Sequence, residues 1–161
     1  MVLKPAAALA DTLTVKRRKI DGWRLPPEYS VLHGVDAAGT GEPVEHLVVG
    51  PTGVFAVRSY VTTSFLEIAS GKGWRDGHPV LTECERVAWD AIITSDALDV
   101  MVVPVLCLAG TMRNAGVYRA GSTLVCGQAT LAATICDRPR RFARVEVTAL
   151  VHATRRQATV S

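Results

Sequence analysis

The chain has 161 residues, of which 48% are hydrophobic and 20% are charged, and its formal net charge is +3. This length suits one domain with a sizeable core, and the composition excludes the polar, highly charged class of disordered chains. The longest uncharged apolar run, residues 100–109, contains a proline and has about half of the ~20 residues that a membrane-spanning helix needs. We therefore expect a folded cytoplasmic protein with no membrane partner.

The first half of the chain is predicted to hold one helix followed by several strands. Residues 5–19 can form a helix that has Pro5 in its first turn and a strongly basic end. Aliphatic runs on both sides of a Gly-Pro-Thr-Gly break predict an antiparallel hairpin. Strands are predicted in chain order at residues 29–35, on the two sides of the Gly-Pro-Thr-Gly break within 44–60, and at 64–69, with a loop at 36–41 and a turn-rich segment at 71–79.

From residue 82 the apolar period becomes helical, and Thr82 with Glu85 is a candidate capping box. Asp90 is expected to face away from the apolar stripe, which comprises Cys84, Val87, Ala88, Ala91, Ile92 and Leu98. Residues 100–110 are apolar on both faces, as in a central strand, although Pro104 is unusual there. A strand at 122–127 and helices at 128–135 and 141–153 complete an α/β domain with a mixed sheet.

The cysteines and histidines do not have the spacing of a metal site. Cys84, Cys107, Cys126 and Cys136 include no CxxC pair, so buried unpaired thiols are favoured over zinc ligands. Three short clusters are basic instead, and each can be read as a solvated helix end or as a phosphate-binding surface. The residues considered for nucleic-acid binding are Lys16, Arg17, Arg18, Lys19, Arg140 and Arg141.

Several segments together resemble the nuclease-related domain known as NERD, a branch of the PD-(D/E)xK nuclease superfamily. They are "LPPEYSVLHGV", "VEHLVVGPTGVFAVRSY", "GKGWRDGHPV", "VAWDA" and "VVPVLCLAG". The resemblance implies a restriction-endonuclease-like mixed β-sheet flanked by helices. It divides the chain into an N-terminal helix and basic segment (1–24), a nuclease-related domain (25–155) and a C-terminal tail (156–161).

The resemblance also implies a metal-dependent phosphodiesterase site, of which this chain retains little. Family members carry an aspartate where Glu45 stands, an acidic residue where Arg58 stands and a lysine where Tyr60 stands. Magnesium needs carboxylate oxygens, and only the first of these positions is acidic here. We therefore expect a degenerate site with no catalytic residue and no metal ligand, in which Tyr60 is an aromatic strand residue with its hydroxyl at solvent.

A symmetrical hairpin about Pro51 and Thr52 sets Val49 opposite Val54 and places Glu45 opposite Arg58. Directly opposed side chains have Cβ atoms about 4.5–5.5 Å apart. The Arg58 guanidinium would then supply the positive charge that the magnesium ion supplies in family members. We therefore predict a Glu45–Arg58 ion pair in the vestigial metal pocket.

Three functions are compatible with the sequence. The first is a catalytically inactive nuclease-like domain that binds DNA or RNA. The second is a protein-interaction or regulatory module. The third is an active nuclease in which displaced carboxylates rebuild a magnesium site, with Asp36, Glu42 and Glu67 as the candidates and Lys72 close by.

Overall fold

The computed structural model describes residues 24–61, 66–69, 72–75, 78–79, 81–109 and 117–160. The predicted helix at 5–19, and with it Lys16, Arg17, Arg18 and Lys19, lies outside these residues. In chain order the elements are β1 (Ser30–Val35), β2 (Val44–Gly50), β3 (Gly53–Val61), β4 (Leu66–Ala69), β5 (Lys72–Arg75), β6 (His78–Pro79), α1 (Leu81–Leu98), β7 (Val102–Ala109), β8 (Tyr118–Ala120), β9 (Thr123–Gly127), a 3-10 turn (Gln128–Thr130), α2 (Leu131–Cys136) and α3 (Arg144–Val160).

Six strands form one mixed sheet in the order β1-β2-β3-β7-β9-β8. Strands β1, β2 and β3 are antiparallel neighbours, β7 runs parallel to both β3 and β9, and β8 is antiparallel to β9. The chain passes from β3 to β7 through a separate three-stranded sheet, β4-β5-β6, and through α1. The predicted α/β architecture with a mixed sheet is therefore confirmed.

Helices cover both faces of this sheet and create two apolar cores. The first core lies under α1 and α3, and its members include Leu47, Val54, Val87, Leu106 and Val151. The second core lies under α2, and its members include Val48, Phe55, Val105, Leu131 and Ile135. Because the central strands are buried on both faces, their sequences read as continuous aliphatic runs rather than alternating ones.

Pro104 is tolerated in the central strand β7 because the pairing of β7 with β9 begins only after it. It pairs with Ala56 of β3, whereas the register between β7 and β9 starts only at Val105. On the β9 side, Pro104 therefore has no strand partner that would need its missing N–H.

The predicted turn-rich segment at 71–79 and the stretch before the predicted strand at 122–127 contain short strands. Lys72–Arg75 and His78–Pro79 build the small sheet with β4, and Tyr118–Ala120 adds an edge strand to the main sheet. These strands have two to four residues. Runs this short do not show the alternation of apolar and polar residues that would distinguish a strand from a turn.

The side of helix α1 that is buried differs from the predicted apolar stripe. Cys84, Val87 and Ala91 are buried as expected, but the predicted stripe member Ile92 is 53% exposed. Asp90, expected to face away, is only 2% exposed. The prediction for Asp90 was wrong because a buried charge can pair with a residue from another element, which helical periodicity does not detect.

Candidate functional site

The tip of the β2–β3 hairpin holds the basic segment that precedes α3. The Pro51 carbonyl accepts hydrogen bonds from the backbone N–H of Arg141 at 2.7 Å and of Phe142 at 3.0 Å. The Thr52 hydroxyl donates to the Ile135 carbonyl at 2.7 Å and lies 2.9 Å from the Tyr29 hydroxyl. The turn therefore fixes the chain on both sides of residues 136–140.

The register of this hairpin is as predicted, but the predicted ion pair is not formed. Val49 lies opposite Val54, and the paired register ends at His46 and Val57, one step before Glu45 and Arg58. Arg58 forms its ion pair with Asp90 instead. The carboxylate of Glu45 contacts His46, with 3.1 Å between Oε1 and Nε2.

A local break in strand alternation explains why Glu45 does not face Arg58. Val44 and Leu47 both belong to the first core although they are three residues apart, so strict alternation fails between them. The neighbouring strand carries Gly34 at φ 60°, between the pairs His33–His46 and Val35–Val44. An irregularity of this kind redirects a side chain to the other face of the sheet.

The Arg58 guanidinium reaches helix α1 across the first core. Its Nε lies 2.7 Å from Oδ2 of Asp90, and its second contact, from Nη2 to Oδ1, measures 3.5 Å. The Asp90 side chain is 3% exposed and that of Arg58 is 25% exposed. The pair therefore neutralises a buried carboxylate and leaves one edge of the guanidinium near solvent.

Tyr60, two residues further along β3, packs against the first core and is partly buried. It shares the face of Arg58, as the strand period predicts.

A cavity of about 240 Å³ beside this ion pair is lined by Glu42, Arg58, Glu85, Trp89 and Asp90, among others. Of the three candidates for a rebuilt metal site, Glu42 lines this cavity but the other two do not. Asp36 accepts hydrogen bonds from the backbone of Thr40 and Gly41, and Glu67 belongs to the separate sheet. Across the described ranges, no three His, Cys, Asp or Glu side chains form a group that could hold a metal ion.

A larger cleft of about 620 Å³ lies between α3 and the β1 edge, next to the hairpin tip. Its rim carries Arg140, Arg144 and Arg155, with Glu28 as the acidic residue, and its floor includes Pro51, Val147 and Val151. Arg140 pairs with Glu28 at 3.2 Å, but both side chains are well exposed and such pairs contribute little. The cleft therefore presents more positive than negative charge.

The two other arginines of the segment before α3 have different places. Arg138 lies over the ring of buried Phe55, with 5.9 Å from its guanidinium carbon to the ring centroid, so it packs on the second core. Arg141 is exposed and is held by its backbone bond to Pro51. Of the predicted nucleic-acid contacts, only Arg140 lines the cleft among the residues that the structure describes.

All four cysteines are unpaired thiols, as predicted. Cys107 and Cys126 are directly opposite each other on neighbouring parallel strands and are buried. A hydrogen bond to Cys126 and burial raise the pKa of the Cys107 thiol, with a smaller contribution from the charge of Glu45. The Cys107 thiol is therefore kept in its protonated, unreactive form.

Comparison with protein-family models, with curated proteins and with solved structures finds no match for this chain. The likeness to nuclease-related domains thus depends on the sequence segments alone. No helix in the described parts of the chain has the length and apolar content needed to cross a bilayer.

Three residues that matter for these sites were not among the predicted site residues: Asp90 of the ion pair, and Arg144 and Arg155 of the cleft. The sequence around Asp90 gives no indication of its role, because its partner Arg58 lies on a different element. Arg144 could have been found, since it follows the "RPRR" cluster at 138–141 and opens a helix. Its position against the β1 edge depends on the tertiary packing of α3.

Proposed function

We propose that this chain is a nucleic-acid-binding domain of nuclease-related type that has no phosphodiesterase activity of its own. The observation that supports binding is the cleft between α3 and the β1 edge, with Arg140, Arg144 and Arg155 on its rim. Phosphate oxygens are bound by guanidinium groups in fork geometry, and such contacts supply most of the affinity for nucleic-acid backbones. The apolar floor would pack against sugar and base.

The ion pair of Arg58 supports the absence of hydrolysis. At an effective dielectric of about 20, a unit charge about 4 Å away contributes on the order of 4 kcal/mol, so a dication there would be repelled by about twice that. Asp90, the buried carboxylate nearest to this position, is already neutralised by the guanidinium. A magnesium ion would have to displace an internal cation from its partner.

Fluorescence anisotropy with labelled single- and double-stranded oligonucleotides tests the binding proposal. Arg144→Ala and Arg155→Ala should each weaken binding and reduce the slope of log K against log salt by about 0.7–0.9. Arg156→Ala is the matched control, because Arg156 is an exposed arginine next to Arg155 that does not line the cleft. Equal loss for Arg156→Ala, or no binding by the wild type at low salt, would refute the proposal.

A protein-interaction module is the second candidate, and one surface favours it. Trp89 and Ile92 are 57% and 53% exposed and lie three residues apart on α1, so they share one side of the helix. Trp89→Ser should abolish capture of a partner if this side is the interface. An unchanged partner set for Trp89→Ser, compared with wild type in a pull-down, would exclude that interface.

A further inference from the structure

Two histidines meet on the edge strand β1 and its neighbour β2, apart from the cleft and from the Arg58–Asp90 pair. His33 of β1 and His46 of β2 are direct cross-strand partners. Their Nδ1 atoms lie 3.0 Å apart, and the two rings are nearly perpendicular, at 86°. Neither histidine lines the cleft or the cavity beside Arg58, so a role for the pair is independent of the nucleic-acid proposal.

Glu45 fixes the tautomer of the inner histidine. Its Oε1 lies 3.1 Å from Nε2 of His46, and an ionised carboxylate can only accept, so Nε2 carries the proton. In a neutral imidazole the other nitrogen then has a lone pair. The lone pair on Nδ1 of His46 therefore points towards His33.

A carboxylate on one ring nitrogen with a lone pair on the other is the arrangement found around metal-ligating histidines. The carboxylate holds the ring orientation and makes the ligating nitrogen more basic. Two nitrogens bound to one tetrahedral zinc at about 2.0–2.1 Å are separated by about 3.3 Å. The observed 3.0 Å between the two Nδ1 atoms is slightly shorter than that separation.

We propose that His33 and His46 form a two-imidazole site for a late first-row divalent cation such as Zn²⁺, with Glu45 as the positioning carboxylate. The proton on Nδ1 of His33 moves to its Nε2, which leaves both Nδ1 atoms as ligands. Among the described residues no third His, Cys, Asp or Glu stands with the pair, and water is the ligand proposed for the remaining positions. His33 is half-buried and Glu45 partly exposed, so the ion enters from the side of the edge strand while His46 stays buried.

The chemistry of the ligands determines the choice of cation. Imidazole nitrogen suits zinc, copper, nickel and cobalt, whereas magnesium requires oxygen ligands. A site with two protein ligands is expected to be weaker than a structural zinc site with four. The proposed site therefore binds its cation weakly and reversibly, and folding does not depend on the metal.

Titration of the 161-residue chain with Co²⁺ and Zn²⁺ tests this site, using visible absorption for cobalt and calorimetry for zinc. The expected result is one cation per chain, with no binding of Mg²⁺. Glu45→Ala should weaken the affinity about 10–100-fold, since it removes the positioning carboxylate. His33→Gln should remove binding; because His33 is half-buried, this variant is preferred to a change at buried His46, and circular dichroism checks its fold.

His152→Ala is the matched control, because it removes an exposed imidazole from α3 and should leave the cation titration unchanged. Binding that survives in His33→Gln, or that is lost equally in His152→Ala, would overturn the assignment. So would a wild-type chain that takes up no cation at micromolar concentrations.

Discussion

Arg58 of β3 and Asp90 of α1 are joined at 2.7 Å, and this contact attaches the helix to the sheet through the first core. Arg58→Ala would leave the Asp90 carboxylate buried without its partner. We expect a loss of about 2–3 kcal/mol in the free energy of unfolding, below the usual cost of breaking a fully buried pair because Arg58 is partly exposed. Urea unfolding monitored by circular dichroism measures it.

The matched control for that change is Arg119→Ala, which removes an exposed arginine from the edge strand β8. It should alter the free energy of unfolding by no more than about 0.5 kcal/mol. Similar losses for the two variants would show that the ion pair has no special role in stability.

The same pair predicts that the purified protein does not cleave DNA. Plasmid incubated with the wild type and Mg²⁺ or Mn²⁺ should remain supercoiled, because the Arg58 guanidinium beside Asp90 would repel a divalent cation. Cleavage that disappears in Glu45→Ala would instead identify an active nuclease with a rearranged site.

Gly50 is required by the close approach of Tyr29. A Cβ at residue 50 would lie 2.1–2.7 Å from three carbons of the Tyr29 ring. Gly50→Ala should therefore lower the free energy of unfolding by about 1–3 kcal/mol, as overpacking does. In a Tyr29→Ala background, Gly50→Ala should lower the free energy of unfolding clearly less. A double-mutant cycle by urea unfolding measures this coupling between the two positions.

Thr52 connects three elements through one hydroxyl. Thr52→Val keeps the volume but leaves the buried Ile135 carbonyl and the Tyr29 hydroxyl without this partner. The expected loss is about 1–3 kcal/mol in thermal or urea unfolding. Thr148→Val serves as the control, because the hydroxyl of Thr148 is exposed and bonds only within its own helix; an equal effect there would refute the role of Thr52.

Stability should fall at alkaline pH because of Cys84. Burial, with smaller contributions from the charges of Glu83 and Glu85, raises the pKa of this thiol from 9.0 to about 11. Below pH 9 both states keep the proton; between about 9 and 11 only the unfolded chain loses it, so the free energy of unfolding declines. Cys84→Ala should show a shallower decline over this range, and an unchanged slope would contradict the assignment.

The mixed sheet could be predicted because its central strands are long aliphatic runs and the hairpin turn fixes their register. Val49 and Val54 are opposite each other as the count from the turn requires. The site was harder to predict because it depends on one irregular position. The break beside Gly34 turns Glu45 towards His46, and Arg58 then finds Asp90, which is 32 residues away along the chain.

Strand β3 carries two different attachments at well-separated positions. Gly53, beside the turn that anchors Arg141, and Arg58, which bonds helix α1, are five residue steps apart, or about 17 Å at 3.3 Å per residue. We therefore expect a change of charge at Arg58 to leave the hydrogen bonds at the hairpin tip in place. The chemistry beside α1 and the anchoring of the segment before α3 can then vary independently of each other.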